Sequence, residues 1–267
     1  MIKAFAVGIP ARDEADRIVK AVQALARAAQ RSPAPVHVVV AADRCDDATE
    51  PLARAALREG GASWRTASVV AIDSGTAGAA RHAACLAALR RAMADGTEAH
   101  RVWVATTDGD SAVPPDWFVQ HEAWACRGAH GVAGLVDLFA DDGLSAAAQR
   151  RWRRSIERAG IGHGHPHVHG ANLGMRADLW LAAGGFDQRA VGEDHELWRR
   201  ARALGASLVG CADMVVRTSA RTQGRTPAGF AGLLADLDAR VSRNERAAPR
   251  VAGRGRSLSI SPDGARP

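Results

Sequence analysis

The chain contains 267 residues, of which 47% are hydrophobic, and its 35 Lys and Arg against 29 Asp and Glu give a formal net charge of +6. That length provides one substantial hydrophobic core, and because no apolar run approaches the ~18 residues needed to cross a bilayer, a membrane-embedded protein is excluded. The excess positive charge lies from Arg217 onward, where the sequence has ten arginines and four acidic residues. Because a nucleic-acid-binding fold should carry a basic face within its folded part, the sequence does not predict such a protein.

The first 110 residues alternate short apolar runs with longer helical patterns, which is typical of βαβ units built around a mostly parallel sheet. The predicted strands are Ala4 to Ile9, Val36 to Ala41, Ser68 to Ile72 and Arg101 to Ala105. The predicted helices between them are Glu14 to Ala29, Asp46 to Arg58 and Thr76 to Met93. We therefore expect residues 1–110 to form the nucleotide-binding half of an α/β domain.

Residues 111–245 show a less regular pattern and are expected to complete the same domain. Pro114-Pro115 opens a predicted helix, and Val132 to Phe139 is a predicted strand. The other predicted elements are helices at Leu144 to about Arg158, Asp178 to Ala183 and Glu193 to Leu204, and a Gly and His loop from Gly162 to Gly170. Residues 246–267 are rich in Arg, Ser, Gly and Pro, a composition that cannot offset the entropy of ordering, so they predict a disordered basic tail.

The cysteines and the first residues bear on the cellular compartment. Cys45, Cys85, Cys126 and Cys211 are far apart and form no CxxC pair, so they indicate neither a zinc site nor a disulfide framework. The sequence enters a strand-like segment directly after Met1, without the pattern of a signal peptide. We expect a cytoplasmic protein, with peripheral membrane contact through the basic tail as a further possibility.

Two carboxylates follow the apolar strand that ends near Ala105, in the turn Asp108-Gly109-Asp110. Mg²⁺ and Mn²⁺ prefer oxygen ligands and commonly reach a protein through one or two carboxylates, with the phosphates of a substrate completing the shell. The turn therefore indicates Mn²⁺ or Mg²⁺ together with a nucleoside diphosphate. The alternative is an ordinary reverse turn, in which Asp and Gly are common.

Polar residues also follow the other three predicted strands of this half. In an open α/β sheet, ligands bind beyond the carboxyl ends of the strands, where such loops converge. Helix capping is the preferred interpretation for Asp46, Asp47, Ser74 and Thr76. For Asp43 both interpretations stay open, because a carboxylate at a strand end can also accept hydrogen bonds from a base or ribose.

Several separate motifs occur in one order along residues 4–217. They are Pro10-Ala11-Arg12-Asp13-Glu14, Asp43 to Thr49, Gly78-Ala79-Ala80-Arg81, Asp108-Gly109-Asp110, His169 to Arg176, Gly184-Gly185-Phe186-Asp187 and Gly192 to Leu197. In order and spacing this set resembles the family 2 type glycosyltransferases with the GT-A fold. The resemblance implies a single Rossmann-like, three-layer α/β/α domain with a mostly parallel central sheet.

The resemblance also implies roles for individual residues. Donor-nucleotide binding falls to Pro10, Glu14, Asp43, Arg81 and Asp108, and metal binding to Asp110 with Asp108. Catalysis falls to Asp194, as general base of an inverting transfer, and to its neighbour Glu193; acceptor binding falls to His169 and Asn172. The implied donor is a sugar nucleotide of the UDP or GDP type, and the acceptor is not identified.

Three alternatives to this function stay open. Acidic residues suit a helix N-terminus because they complement its dipole, which gives Glu193 and Asp194 a structural interpretation. A retaining enzyme of the same fold would use Asp194 to bind the acceptor. A non-catalytic scaffold would instead bind acidic lipid or RNA through the basic tail.

Other positions leave their roles open. The alternating His163, His165, His167 and His169 are interpreted as part of an acceptor-contacting loop rather than a zinc site, because the Gly and Pro between them favour a loose loop. His195 is interpreted as a packed residue. The tryptophans are assigned to the core, with Trp117 and Trp152 as exceptions that could stack on sugar. Asp13, Arg44-Cys45 and His82 depart from the family pattern and leave the donor base undetermined, and Arg217 to Arg225 is either a phosphate clamp or a solvated segment.

Overall fold

Seven strands of the described residues form one sheet. The computed structural model describes residues 1–140, 143–159, 164–224 and 229–247. The strands are β1 Ala4–Ala11, β2 Val36–Asp43, β3 Thr66–Ile72, β4 Val102–Thr106, β5 Gly131–Leu138, β6 Leu173–Arg176 and β7 Leu208–Thr218. Their order in the sheet is β3-β2-β1-β4-β6-β5-β7. Pairing is parallel throughout except at β6, which runs antiparallel to both β4 and β5.

Eight α-helices of the described residues cover this sheet. They are α1 Ile18–Ala29, α2 Thr49–Gly60, α3 Ala77–Ala94, α4 Trp117–Cys126, α5 Ala146–Ala159, α6 Ala177–Ala182, α7 Glu193–Ala203 and α8 Phe230–Ala247. One hydrophobic cluster packs α1, α2 and α4 against one face of the sheet, and a second packs α3, α6 and α7 against the other. The result is the predicted three-layer α/β/α arrangement with a mostly parallel sheet.

The central strands are buried on both faces, as expected for parallel strands covered by helices. Every residue of β2 and β4 is buried, so these strands are near-continuous apolar runs instead of alternating patterns. A third, smaller cluster joins α5 and α8 near the ends of β5 and β7 through Leu138, Leu144 and Leu234. This cluster stands beside the carboxyl edge of the sheet, where the candidate site lies.

The predicted elements are present, with ends displaced by up to four residues. Helix α1 begins at Ile18 and not at Glu14, because residues 14–17 form a turn in which the Glu14 amide donates to the Thr49 hydroxyl. Strands β6 and β7 and helix α8 were not predicted. His163 and residues 248–267, including most of the predicted tail, lie outside the described residues.

Within the described parts of the chain, no helix combines the length and apolar character required to cross a lipid bilayer. Thiols in these parts are free, with Cys85 and Cys211 buried and Cys126 exposed.

Candidate active site

The loops that follow β1, β3 and β4 meet the last residue of β2 at the carboxyl edge of the sheet and line a cleft of about 530 Å³. The start of α7 and the segment after β7 close its other side. The predicted site residues that line it are Pro10, Glu14, Asp43, Arg81, Asp108, Asp110, His169, Glu193 and Asp194. The structure therefore brings together side chains from positions 10 to 194, as the topology of an open α/β sheet requires.

Asp110 is a buried carboxylate whose two oxygens have different partners. Oδ1 accepts hydrogen bonds of 3.1 Å from the hydroxyls of Ser111 and Thr218. Oδ2 lies 3.1 Å from Nη2 of Arg221. Burial raises the pKa of Asp110, and the positive charge of Arg221 opposes that rise. The side chain is thus fixed by neighbours that leave one oxygen for a cation.

Arg221 was not among the predicted site residues. Its guanidinium donates two 2.9 Å hydrogen bonds to the carboxylate of Glu14, in addition to its contact with Asp110. Burial alone would lower the pKa of Arg221, but Glu14 and Asp110 raise it overall. Because Glu14 and Arg221 are 207 residues apart, the sequence could not indicate this pairing, although it left the Arg217 to Arg225 segment open to a phosphate-clamping role.

Arg81 lies at the centre of a buried ion network. Its guanidinium donates to Asp108 at 2.7 Å, to Glu193 at 3.1 Å and to the Gly170 carbonyl at 2.9 Å. Burial would lower the pKa of Arg81, but Asp108 and Glu193 raise it overall. Arg81 thereby joins the Asp108 turn to the start of α7, and so fixes two parts of the cleft relative to each other.

The adjacent acids Glu193 and Asp194 occupy different surroundings. Glu193 is buried against Arg81, and burial raises its pKa. Asp194 is partly exposed to the cleft, and its carboxylate accepts 2.7 Å hydrogen bonds from the amides of Gly170 and His195. Of these two acids, Asp194 is the one that combines a fixed carboxylate with access to a substrate.

Asp43 is almost fully buried and is engaged by the turn after β3. Its carboxylate accepts from the Ser74 amide at 2.8 Å, from the Ser74 hydroxyl at 2.9 Å and from the Gly75 amide at 3.1 Å. Thr76 caps α3, as predicted, by accepting from the Ala79 amide. Asp43 therefore shapes the turn that leads into the cleft wall.

The histidine loop contributes a wall of rings beside the cleft. His165, His167 and His169 follow one another with ring centroids 5.8 and 6.0 Å apart, and His169 also meets Phe230 at 6.1 Å. Burial lowers the pKa of His169 to about 4, so its ring is neutral at physiological pH. His195, which was interpreted as packed, is exposed at the rim of the cleft.

Trp152 extends this wall and was one of the two tryptophans considered for stacking. Its ring meets Phe230 at 5.3 Å, and its indole donates to the Val136 carbonyl. A second cavity of about 880 Å³ lies between α5 and α8 and shares Trp152 and Leu233 with the cleft. Phe230 and Leu233 were missed because α8 was not predicted.

Asn172, predicted to bind the acceptor, is fully buried away from the cleft. Its amide donates to the carbonyls of Leu135 and Met214 and accepts from the indole of Trp117. The Asn172 side-chain amide therefore links β5, β7 and α4 through hydrogen bonds. The same contact places Trp117 in the core and not at a sugar-stacking surface.

A divalent metal fits the Asp108 and Asp110 turn by its donor chemistry. The two carboxylates follow a strand and face the cleft, and one Asp110 oxygen already contacts a cation, that of Arg221. Among the described residues, three close ligand atoms occur only at Asp13, Cys45 and Asp47. There the Asp13 and Asp47 carboxylates accept from the amides of Asp46 and Ala15, which gives that group a structural role.

The fold and the cleft define a glycosyltransferase of the GT-A fold, the class that uses nucleotide sugars. The model of the family described as glycosyltransferase like family 2 matches residues 3–246, and the chain belongs to that family. The predicted family and fold class are thus confirmed. Among curated proteins, none matches the chain.

Solved structures show the same fold at low sequence identity. A fragment of S. aureus TarS, residues 1–349, in complex with UDP-GlcNAc has a TM-score of 0.59 and 15% identity, covering 91% of this chain and 67% of that chain. The mannosyltransferase PcManGT from Pyrobaculum calidifontis, in complex with GDP-Man and Mn²⁺, has a TM-score of 0.59 and 18% identity, covering 84% and 58%. A longer TarS chain has a TM-score of 0.57 and 15% identity, covering 82% and 37%.

Proposed function

We propose that the protein transfers a sugar from a UDP- or GDP-type donor to an acceptor hydroxyl, with the assistance of Mn²⁺ or Mg²⁺ and with inversion at the anomeric carbon. The observation that carries the proposal is that the Asp108 and Asp110 turn and the Asp194 carboxylate face one cleft from elements distant in sequence. The neighbours that bind UDP-GlcNAc and GDP-Man with Mn²⁺ support the donor class and the metal.

The charge of the cleft supports metal dependence. The described lining includes six carboxylates, those of Glu14, Asp43, Asp108, Asp110, Glu193 and Asp194, and three arginines, Arg12, Arg81 and Arg221. This excess of three negative charges would repel a nucleoside diphosphate. A divalent ion held by Asp110 and Asp108 would supply the missing positive charge and stabilise the leaving diphosphate.

Asp194 has the surroundings of a general base. Its two amide hydrogen bonds orient the carboxylate without protonating it, and its partial exposure lets an acceptor hydroxyl approach. In the proposed step that hydroxyl oxygen bonds to the anomeric carbon while its proton moves to Asp194, and the bond from that carbon to the donor phosphate oxygen breaks. His169 is neutral beside it and so does not neutralise the carboxylate as a fixed cation would.

Glu193 and Arg81 act as positioning residues in this scheme. The Arg81 contacts to Asp108, Glu193 and Gly170 connect the metal-binding turn to the segment that orients Asp194. The acceptor side is formed by His169, Trp152 and Phe230, a neutral and aromatic wall suited to a sugar face or an apolar group. A cytoplasmic location stays a prediction, as does membrane contact by the tail, which lies almost entirely outside the described residues.

Calorimetric titration of UDP, GDP and dTDP, each with and without Mn²⁺, tests the donor half of the proposal. We expect one nucleotide to bind only with Mn²⁺, and Asp110→Asn to abolish that binding while keeping the circular dichroism of the parent. Absence of binding by all three nucleotides under both conditions would overturn the proposal. Once an acceptor is found, NMR of the product anomer distinguishes inversion from retention.

A further inference from the structure

The segment directly after β7 crosses the donor side of the cleft and places Arg221 over two of its buried acids, Glu14 and Asp110. Ser219, Arg221 and Gly224 of this segment all line the cleft. The side chains of Glu14 and Asp110 are 6% and 8% exposed, whereas that of Arg221 is 32% exposed. Because the Arg221 side chain is more exposed than the two acids it contacts, its guanidinium can leave without opening the core.

Arg221 occupies the oxygen that a metal ion would use. Because Ser111 and Thr218 take Oδ1 of Asp110, Oδ2 is the oxygen open to a cation, and Nη2 of Arg221 lies 3.1 Å from it. An ion bound at the ~2.1 Å typical of Mg²⁺ would lie within about 5 Å of that nitrogen, whichever side of Oδ2 it chose. At that distance the two positive charges repel strongly in a partly buried site.

Resting on the donor and metal assignment above, we propose that Arg221 is an exchangeable internal cation of the donor site. In the free enzyme it neutralises Glu14 and Asp110. Binding of the divalent ion displaces it from Asp110, and the released guanidinium then contacts the donor diphosphate. A guanidinium suits both positions because its planar set of donors matches carboxylate and phosphate oxygens alike.

The excess of carboxylates over arginines in the cleft argues against the simpler idea that Arg221 replaces the metal altogether. With Arg221 in place the described lining still carries three more negative than positive groups. A nucleoside diphosphate would add to that charge, so both the divalent ion and Arg221 are needed once the donor binds. Arg221 therefore weakens metal binding in the free enzyme and strengthens nucleotide binding once the metal is bound.

These two roles give effects of opposite sign, which a purely structural arginine would not. In Arg221→Gln we expect Mn²⁺ affinity without nucleotide, measured on the full-length protein by electron paramagnetic resonance, to rise about tenfold or more. With saturating Mn²⁺, we expect the affinity for the nucleotide found by calorimetry to fall about tenfold. Arg217→Gln, at an exposed position on β7, is the matched control and should change neither value.

Thermal unfolding with and without Mn²⁺ keeps the test decisive if the variant is destabilised. Arg221→Gln should gain more in Tm from Mn²⁺ than the parent, because the ion takes over the neutralisation of Asp110. Arg221→Lys keeps the charge and should keep the weak Mn²⁺ binding of the parent. Equal or weaker Mn²⁺ binding in Arg221→Gln, or unchanged nucleotide binding, would overturn the inference, whereas failure of the parent to bind any nucleotide would instead overturn the proposed function.

Discussion

At the scale of single residues, the cleft shows that neighbouring side chains can have different roles because their surroundings differ. Glu193 and Asp194 are adjacent in sequence, yet one is buried against Arg81 and the other faces the cleft. The sequence could predict the pair from its motif but not this division, which depends on Arg81, 112 residues away from Glu193. For Asn172 the motif misled, because it indicated acceptor binding, whereas the side chain is fully buried and its hydrogen bonds join strands of the sheet.

The division between the two acids predicts distinct effects of neutralising each. Asp194→Asn should lower turnover of the donor sugar by ~10²- to 10⁴-fold, because it removes the base while its amide oxygen keeps one of the two backbone contacts. Its nucleotide affinity should stay that of the parent. Glu193→Gln should instead lower the Tm, because it removes one charge of a buried network. Steady-state kinetics, calorimetry and thermal unfolding on both variants check this, and the reverse pattern would assign the base to Glu193.

At the scale of secondary structure, the sequence predicted elements well where they follow simple periodicity. The β-strands and helices of residues 1–110 are long, apolar and regularly spaced, so their patterns were unambiguous. Strand β6 has only four residues and includes Gly174, and β7 is broken by an irregularity opposite Gly134 and Leu135. Helix α8 was missed because its Arg-rich end merges with the basic tail. Strand β7 and helix α8 flank or carry Arg221 and Phe230, the parts of the site that the sequence did not reveal.

Gly174, on the antiparallel strand β6, packs so closely against its neighbours that there is no room for a side chain. A Cβ atom there would lie 2.6 Å from Cε1 of His121 and would also meet the indole nitrogen of Trp103. Both rings are buried and hydrogen-bonded to each other, so neither yields easily. Gly174→Ala should therefore destabilise the protein by roughly 1–3 kcal/mol in urea unfolding. Gly131→Ala on β5 is the control, because its Cβ would meet a movable Leu208 methyl; equal losses would show that β6 is loosely packed.

At the scale of the whole molecule, the chain divides its charge and its apolar groups between different regions. The sheet core contains the buried His121, whose Nδ1 accepts from Trp103 and whose pKa burial lowers to about 3. The cleft concentrates carboxylates beside arginines. The charged cleft is tolerated because Arg81 and Arg221 form ion pairs with its buried acids. Among the described residues, His121 has no such partner that would stabilise its protonated form.

Stability should therefore fall as the solution becomes acidic. Because the folded pKa of His121 is below its unfolded value of 6.5, the unfolded state binds the proton first, and stability that is complete above about pH 6.5 is lost progressively toward pH 3. By pH 5 this single residue should remove about 2 kcal/mol. His121→Gln keeps an acceptor for Trp103 and should lose less stability between pH 7.5 and 5 than the parent in urea titrations. His100→Gln, at an exposed position, should follow the parent. An equal loss of stability in all three proteins would mean that His121 is protonated in the folded state. It would then follow that solvent reaches this part of the core.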